Sequence, residues 1–192
     1  MRRLILKMSM SINGFVGGPK GELDWMLASD DGGAKAWQLA RAREAGLHVM
    51  GRKTFNDMKG HWPTSGDAYA APMNTIPKAH FSRGGAEGAD AEASGEGARS
   101  WNEAPCLTGD LAAEIRKLKE EDGKPIIAWG GAGFARSLIP TGLIDEYQFL
   151  VHPVALAAGL EIFSRLEAPL RLQLAVLERF DKGVVAKIFH PA

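Results

Sequence analysis

Two stretches of the chain deliver an apolar run into glycine and then into a helix-forming segment: Val49-Met50-Gly51-Arg52-Lys53-Thr54 and Ile127-Ala128-Trp129-Gly130-Gly131-Ala132-Gly133-Phe134. A strand that ends in glycine lets a ligand approach the backbone, and the helix start that follows offers unpaired amide N–H groups and a partial positive charge to an anion. Arg52, Lys53 and the Thr54 hydroxyl add to that, making the first stretch a candidate phosphate site. Two such turns in one domain point to a dinucleotide with two phosphates, while tight turns without a ligand remain the plainer reading. Neither stretch is a standard nucleotide motif. In Gly46-Leu47-His48-Val49-Met50-Gly51-Arg52-Lys53-Thr54, Arg52 intrudes between the second glycine and the lysine of a P-loop, and the residues between the glycines read as a strand. Gly131-Ala132-Gly133 begins a Rossmann fingerprint, but Arg136 stands where its third Gly or Ala belongs. The five histidines show no metal-ligand spacing, and no Gly-x-Ser-x-Gly elbow supports a serine hydrolase. A single cysteine, Cys106, reads as a small apolar residue at a strand edge and fits a reducing compartment.

The elements that would position these residues alternate. Residues 3–10 form an apolar run that stops at Asn13-Gly14, a helix is expected over 34–45, and short strands at His48-Val49-Met50 and Ala79-His80-Phe81-Ser82 flank a polar loop from Gly60 to Pro77. Asp110 reads as the N-cap of a helix carrying Leu111, Ile115 and Leu118, and a short helix through Ala135 and Leu138 stops at Pro140. Towards the C-terminus the pattern changes. Tyr147, Phe149 and Val151 alternate as a strand, and Leu172 to Phe180 and Val184 to His190 flank the hairpin turn Asp181-Lys182-Gly183. This order predicts an α/β domain with a mostly parallel sheet, helices on both faces and antiparallel strands at one edge.

Composition bounds the function. With 23 Lys+Arg against 23 Asp+Glu in 192 residues, the chain lacks a broad basic footprint for nucleic acid, and no apolar run is long enough for a membrane helix. Lys7 interrupts the only signal-peptide-like start, so a cytoplasmic protein acting on a small molecule is expected. No repeat or linker divides residues 1–192, which read as one domain. Residues 84–105, rich in Gly, Ala and acids, read as a mobile acidic loop.

Taken in order, Met8-Ser9-Met10-Ser11-Ile12-Asn13-Gly14-Phe15, Asp24-Trp25, Gly51-Arg52-Lys53-Thr54-Phe55, Phe81-Ser82-Arg83, Trp129-Gly130-Gly131-Ala132-Gly133 and Leu143-Ile144-Asp145-Glu146 resemble the dihydrofolate-reductase-like family. The branch they resemble is the reductase domain of the riboflavin-biosynthesis deaminase-reductase, over about residues 4–190 apart from the acidic loop. The resemblance implies a three-layer α/β/α fold, a homodimer, and NADPH as cofactor. By that resemblance Gly51, Arg52, Lys53 and Thr54 would hold phosphates, Ser82 and Arg83 the 2'-phosphate side, and Gly130, Gly131, Ala132, Gly133 and Phe134 the pyrophosphate and nicotinamide ribose. The loop from Asn13 to Trp25, with Gly14, Gly17, Gly18 and Gly21 for freedom, would cover nicotinamide and substrate.

Hydride transfer also needs a proton source. Asp30 stands where a folate-reducing relative places its acid, although Ala28-Ser29-Asp30-Asp31-Gly32-Gly33 is equally an N-cap sequence. Asn13 replaces the Asp common in this branch and can hydrogen-bond a substrate but cannot act as an acid. Together with Trp25, the one tryptophan in a site loop, and Glu161, it is a candidate substrate contact. The expected activity resembles 5-amino-6-(5-phosphoribosylamino)uracil reductase. No zinc deaminase signature accompanies it, so the reductase is expected to act alone or in another pathway. The alternatives are a dihydrofolate or other pterin reductase, and a nucleotide-binding module without catalysis.

Overall fold

The computed structural model describes residues 1–29, 31–85 and 92–192. Eight strands form one sheet: β1 (Leu4–Ser11), β2 (Leu47–Gly51), β3 (Lys78–Phe81), β4 (Cys106–Leu107), β5 (Ile126–Trp129), β6 (Glu146–His152), β7 (Leu172–Arg179) and β8 (Val185–Pro191). Their spatial order is β4-β3-β2-β5-β1-β6-β8-β7. All neighbours from β4 to β6 pair parallel, whereas β8 pairs antiparallel with both β6 and β7. The expected change of character at the C-terminus is therefore present, turned at Gly183, whose φ of +84° suits only glycine well.

Helices cover both faces. On one side α5 (Leu111–Glu120) and α6 (Ala132–Leu138) pack Ile115, Ala135 and Leu138 onto Leu4, Leu6, Met8, Val49 and Ala128. On the other, α1 (Gly32–Arg43) places Trp37 and Ala42, while α2 (Arg52–Lys59), α3 (Ala70–Thr75) and α4 (Arg99–Asn102) contribute Phe55, Met73 and Trp101. Alternation along each strand assigns the residues to these faces. Asp110 caps α5 as expected, its carboxylate accepting from the Ala113 N–H at 2.9 Å, and Asp31 caps α1 in the same way at 2.7 Å.

Two expected loops carry structure. The stretch from Gly60 to Pro77 contains α3, because Tyr69 and Met73 bury against β2 and β5. Within 84–105, residues 86–91 lie outside those described, but residues 92–105 are not free of the core. Trp101 is 1% exposed and donates its indole N–H to Asn74 Oδ1 at 2.8 Å, and the Asn102 amide closes on both main-chain groups of Ala93. One large aromatic outweighs the loop-like composition around it.

Candidate active site

β2 leads through α2 towards β3, and β5 leads through α6 towards β6 on the opposite side of the sheet. Right-handed crossovers running in opposite directions lie on opposite faces, so a crevice opens between the carboxyl ends of adjacent β2 and β5. A cleft of about 1070 Å³ occupies it. All eleven residues expected to hold a cofactor line this cleft: Gly51, Arg52, Lys53, Thr54, Ser82, Arg83, Gly130, Gly131, Ala132, Gly133 and Phe134.

The two glycine turns are in contact. Gly131 caps α6 at φ +73°, and a Cβ there would stand 2.5 Å from Thr54 Oγ1 on α2. A Cβ at Gly51 would meet Phe134 Cβ at 3.0 Å. Only glycine lets both helix starts come this near, so the N-termini of α2 and α6 open into one space. A Cβ on Gly133, also a lining residue, would meet no protein atom within 4 Å, so the room above it belongs to the cleft. Arg52 bonds the Ser82 hydroxyl at 3.4 Å, and the exposed Lys53 pairs with Asp57 one turn on at 2.8 Å. Among the described lining residues six are cationic, Lys7, Lys20, Arg52, Lys53, Arg83 and Arg136, against Asp57 and Asp110. The neutral net charge of the chain hides this local field.

The inner end is different. Here β1 supplies Lys7, Met8 and Ser9, β5 supplies Trp129, α1 supplies Gln38, and Val16, Met26 and Leu160 close the wall. Lys7 is 4% exposed; its Nζ donates to Gln38 Oε1 at 3.0 Å and stands 4.8 Å from the centre of the Trp129 ring. Burial pushes its pKa down to about 7. An amine so tuned can give or take a proton near neutrality. Sequence reasoning missed this residue although its signal was visible: a lysine inside an apolar strand that is covered on both faces. It also missed Gln38 and, among the tryptophans, singled out Trp25 rather than Trp129 as a substrate contact.

The loop after β1 reaches the cleft through Val16, Gly17, Lys20, Gly21, Leu23 and Met26. It is tied to the segment before Ile162 by two main-chain hydrogen bonds, Val16 N–H to Leu160 O and Leu160 N–H to Gly17 O, each 2.9 Å. The three expected substrate contacts are not among the lining residues. Asn13 turns away to grip Leu156, donating to its carbonyl at 2.8 Å and accepting from its N–H at 3.1 Å. Trp25 donates to the Glu22 carbonyl at 2.9 Å and sets its ring edge against His152. The Glu161 side chain is exposed, and its carbonyl accepts from the Arg136 guanidinium. All three neighbour the site along the chain, but none of them lines the cleft. Asp30 lies outside the described residues.

The comparisons with known proteins agree with this architecture. An uncharacterised Bacillus subtilis (strain 168) protein, YyaP, is 28% identical over 98% of this chain and 95% of its own. The crystal structure of a putative riboflavin biosynthesis protein from Shewanella sp. PV-4 superposes with a TM-score of 0.73 at 20% identity, covering 100% of this chain and 99% of that one. Dihydrofolate reductase from Enterococcus faecalis, solved with NADP(H) and RAB-propyl, superposes with a TM-score of 0.63 at 13% identity, covering 98% and 96%. These likenesses establish a dihydrofolate-reductase-like fold. Residues 2–186 match the family described as RibD C-terminal domain, and the chain belongs to that family.

Proposed function

We propose that the protein is an NADPH-dependent reductase that delivers hydride to a small heterocycle or ribosylamino-pyrimidine. The observation that carries this reading is the joining, in one cleft, of two glycine-capped helix starts and a cationic rim with an inner end holding a buried amine. The fit to a dinucleotide rests on the open room above Gly133 and on the mutual approach of the two turns. Gly51, Arg52, Lys53 and Thr54 would hold phosphates, Gly130 to Phe134 the pyrophosphate and ribose, and Ser82 with Arg83 a 2'-phosphate, for which a guanidinium is well matched. NADPH, when bound, supplies the hydride. Lys7 stands at the inner end, able to protonate an acceptor atom that becomes negative, and Met8, Val16 and Leu160 exclude water around it. A cleft of about 1070 Å³ exceeds what one small ligand requires and leaves room for an acceptor beside a dinucleotide.

The test is direct. NADPH quenches tryptophan fluorescence at micromolar concentration, and a screen of ribosylamino-pyrimidines, flavins and pterins finds an acceptor that drives NADPH oxidation. No binding at that concentration overturns the reading. Turnover of a pterin that disappears in Asp30→Ala would favour the pterin alternative. A homodimer belongs to the same reading: the β7 edge exposes Leu174, Val176 and Leu177, a surface suited to a second copy, and light scattering measures the mass.

A further inference from the structure

His48 has no place in the reading above. It is 0% exposed on β2, enclosed between β3 and β5, and paired in register with Lys78 and Ile127. Trp129 donates its indole N–H to His48 Nδ1 at 2.7 Å, with the rings edge to face, 5.5 Å apart and inclined by 71°. An indole nitrogen can only donate, so Nδ1 must carry the lone pair and the imidazole proton sits on Nε2. That ring is neutral. Burial, with the Lys78 ammonium adding to it, pushes its pKa down to about 3.

Trp129 has a second neighbour. Its ring face, on the cleft wall, lies under the Lys7 amine, which Gln38 holds from α1. The Lys7 nitrogen is therefore placed by a flexible amide on one side and by an indole plane on the other. Without an acceptor inside the sheet, the indole N–H would be left unsatisfied and the ring would turn towards water in the cleft.

We propose that His48 is a positioning residue for the inner end of the cleft: by accepting the Trp129 indole proton within the sheet, it fixes the ring plane against which the Lys7 amine is held. His48 does this without touching the cleft, for it is not a lining residue. Several groups face this chain, among them Tyr69, whose ring meets the Trp129 ring edge to face at 6.2 Å, and His190, which lies 3.5 Å from Glu146. Beside Lys7 stand Trp129 on β5, its register partner Gln148 on β6 and Gln38 on α1, all uncharged; Glu146, bonded to Gln148, is paired with Arg3, and on β3 Lys78 faces His48. On α1, Lys35 and Arg41 are engaged with Asp67 and Glu44.

The proposal rests on the reductase reading only for its link to turnover, so its test uses readouts that need neither cofactor nor acceptor. The Lys7 Cε resonance, assigned with K7M, is titrated in wild type, H48F and H48N. Asn keeps an acceptor near the Nδ1 position, whereas Phe keeps only the ring. In H48F, water admitted beside the loosened indole raises the Lys7 midpoint by about one pH unit and speeds exchange of the Trp129 indole proton roughly tenfold, and H48N restores both. A folded H48F with an unchanged or lowered midpoint and unchanged exchange overturns the proposal, since a purely structural histidine would alter only the melting temperature. Wild-type protein decides the matter where H48F does not fold. The His48 C2–H resonance then stays constant from pH 5 to pH 8 and the Trp129 indole proton exchanges at least about 100-fold more slowly than that of Trp25; a titrating His48 or equal exchange overturns it. Where an acceptor is known, H48F lowers kcat with KM for NADPH within about twofold. Absent NADPH binding refutes the reductase reading and leaves the titration result standing.

Discussion

The two faces of the central sheet are built from the same strands and differ in kind. Towards α5 and α6, β1 presents Leu4, Leu6 and Met8, β2 presents Val49, and β5 presents Ile126 and Ala128. Towards α1 and α3 the alternate positions hold Lys7, His48, Lys78, His80, Glu146 and Gln148, all buried and interleaved with the apolar Ile5, Met50 and Ile127. A parallel sheet covered on both sides has no need of such polar groups for stability, since each one costs desolvation that its hydrogen bonds only offset. Apolar packing holds both faces, with Ile5, Met50 and Ile127 set among the polar groups of the second. The polar face spends some of that stability on groups whose row runs to the cleft, where Lys7 and Trp129 emerge.

Substitutions on the two faces should therefore differ in size and in the property they change. Leu6→Ala, at 0% exposure on the apolar face, is expected to lower unfolding free energy by about 2–5 kcal/mol in urea melts, with ligand binding following only the loss of folded protein. A loss below about 1 kcal/mol would show that α5 and α6 collapse onto the gap. Lys7→Met reverses the pattern: we expect turnover with any accepted substrate to fall by about 100-fold while the protein at pH 7 is as stable as wild type or more so. Lower stability with intact turnover would remove Lys7 from the chemistry.

The pH dependence of stability separates the faces without ligand. Lys7 and Lys78, both desolvated, have folded pKa values of about 7 against 10.5 when exposed. Between those values the unfolded chain binds more protons, so stability rises with pH from about 7 towards 10, by up to about 1.4 kcal/mol per pH unit for each lysine. Below about pH 7 both states bind these protons and the contribution to the slope vanishes. Urea melts from pH 7 to 10 should show the rise in wild type and a smaller one in Lys7→Met; identical slopes would mean that the amine is hydrated. Smallest, at the cleft rim, Arg83→Ala should weaken NADPH by about tenfold and NADH little, read by fluorescence titration. Equal losses would refute a 2'-phosphate role.

Much of the frame could be read in the sequence, because local signals decide it. Asp110 caps a helix three residues from Ala113, Gly183 turns a hairpin, and Gly51 and Gly130-Gly131 end strands whatever surrounds them. What escaped depends on distant partners. Lys7 interrupts an apolar run, and only the helix bringing Gln38 above it makes it a buried amine rather than an edge residue. Trp129 faces the cleft because His48, 81 positions earlier, anchors its N–H. Asn13 is bound to Leu156, 143 positions away, and so leaves the site that its neighbours line. Trp101 sits in a Gly- and Ala-rich stretch whose composition argues for a loop, and its burial against Asn74 comes from tertiary packing alone.

The contact between Gly131 and Thr54 has a thermodynamic consequence. Since the two helix starts already lean on one another, the amides that would meet an anion are ordered in the unliganded protein. A phosphate entering there would have little chain entropy to remove, and its affinity would come chiefly from charge and dehydration. A bulkier residue at 51 or 131 would separate the two starts, so that each binding event would first have to reassemble them.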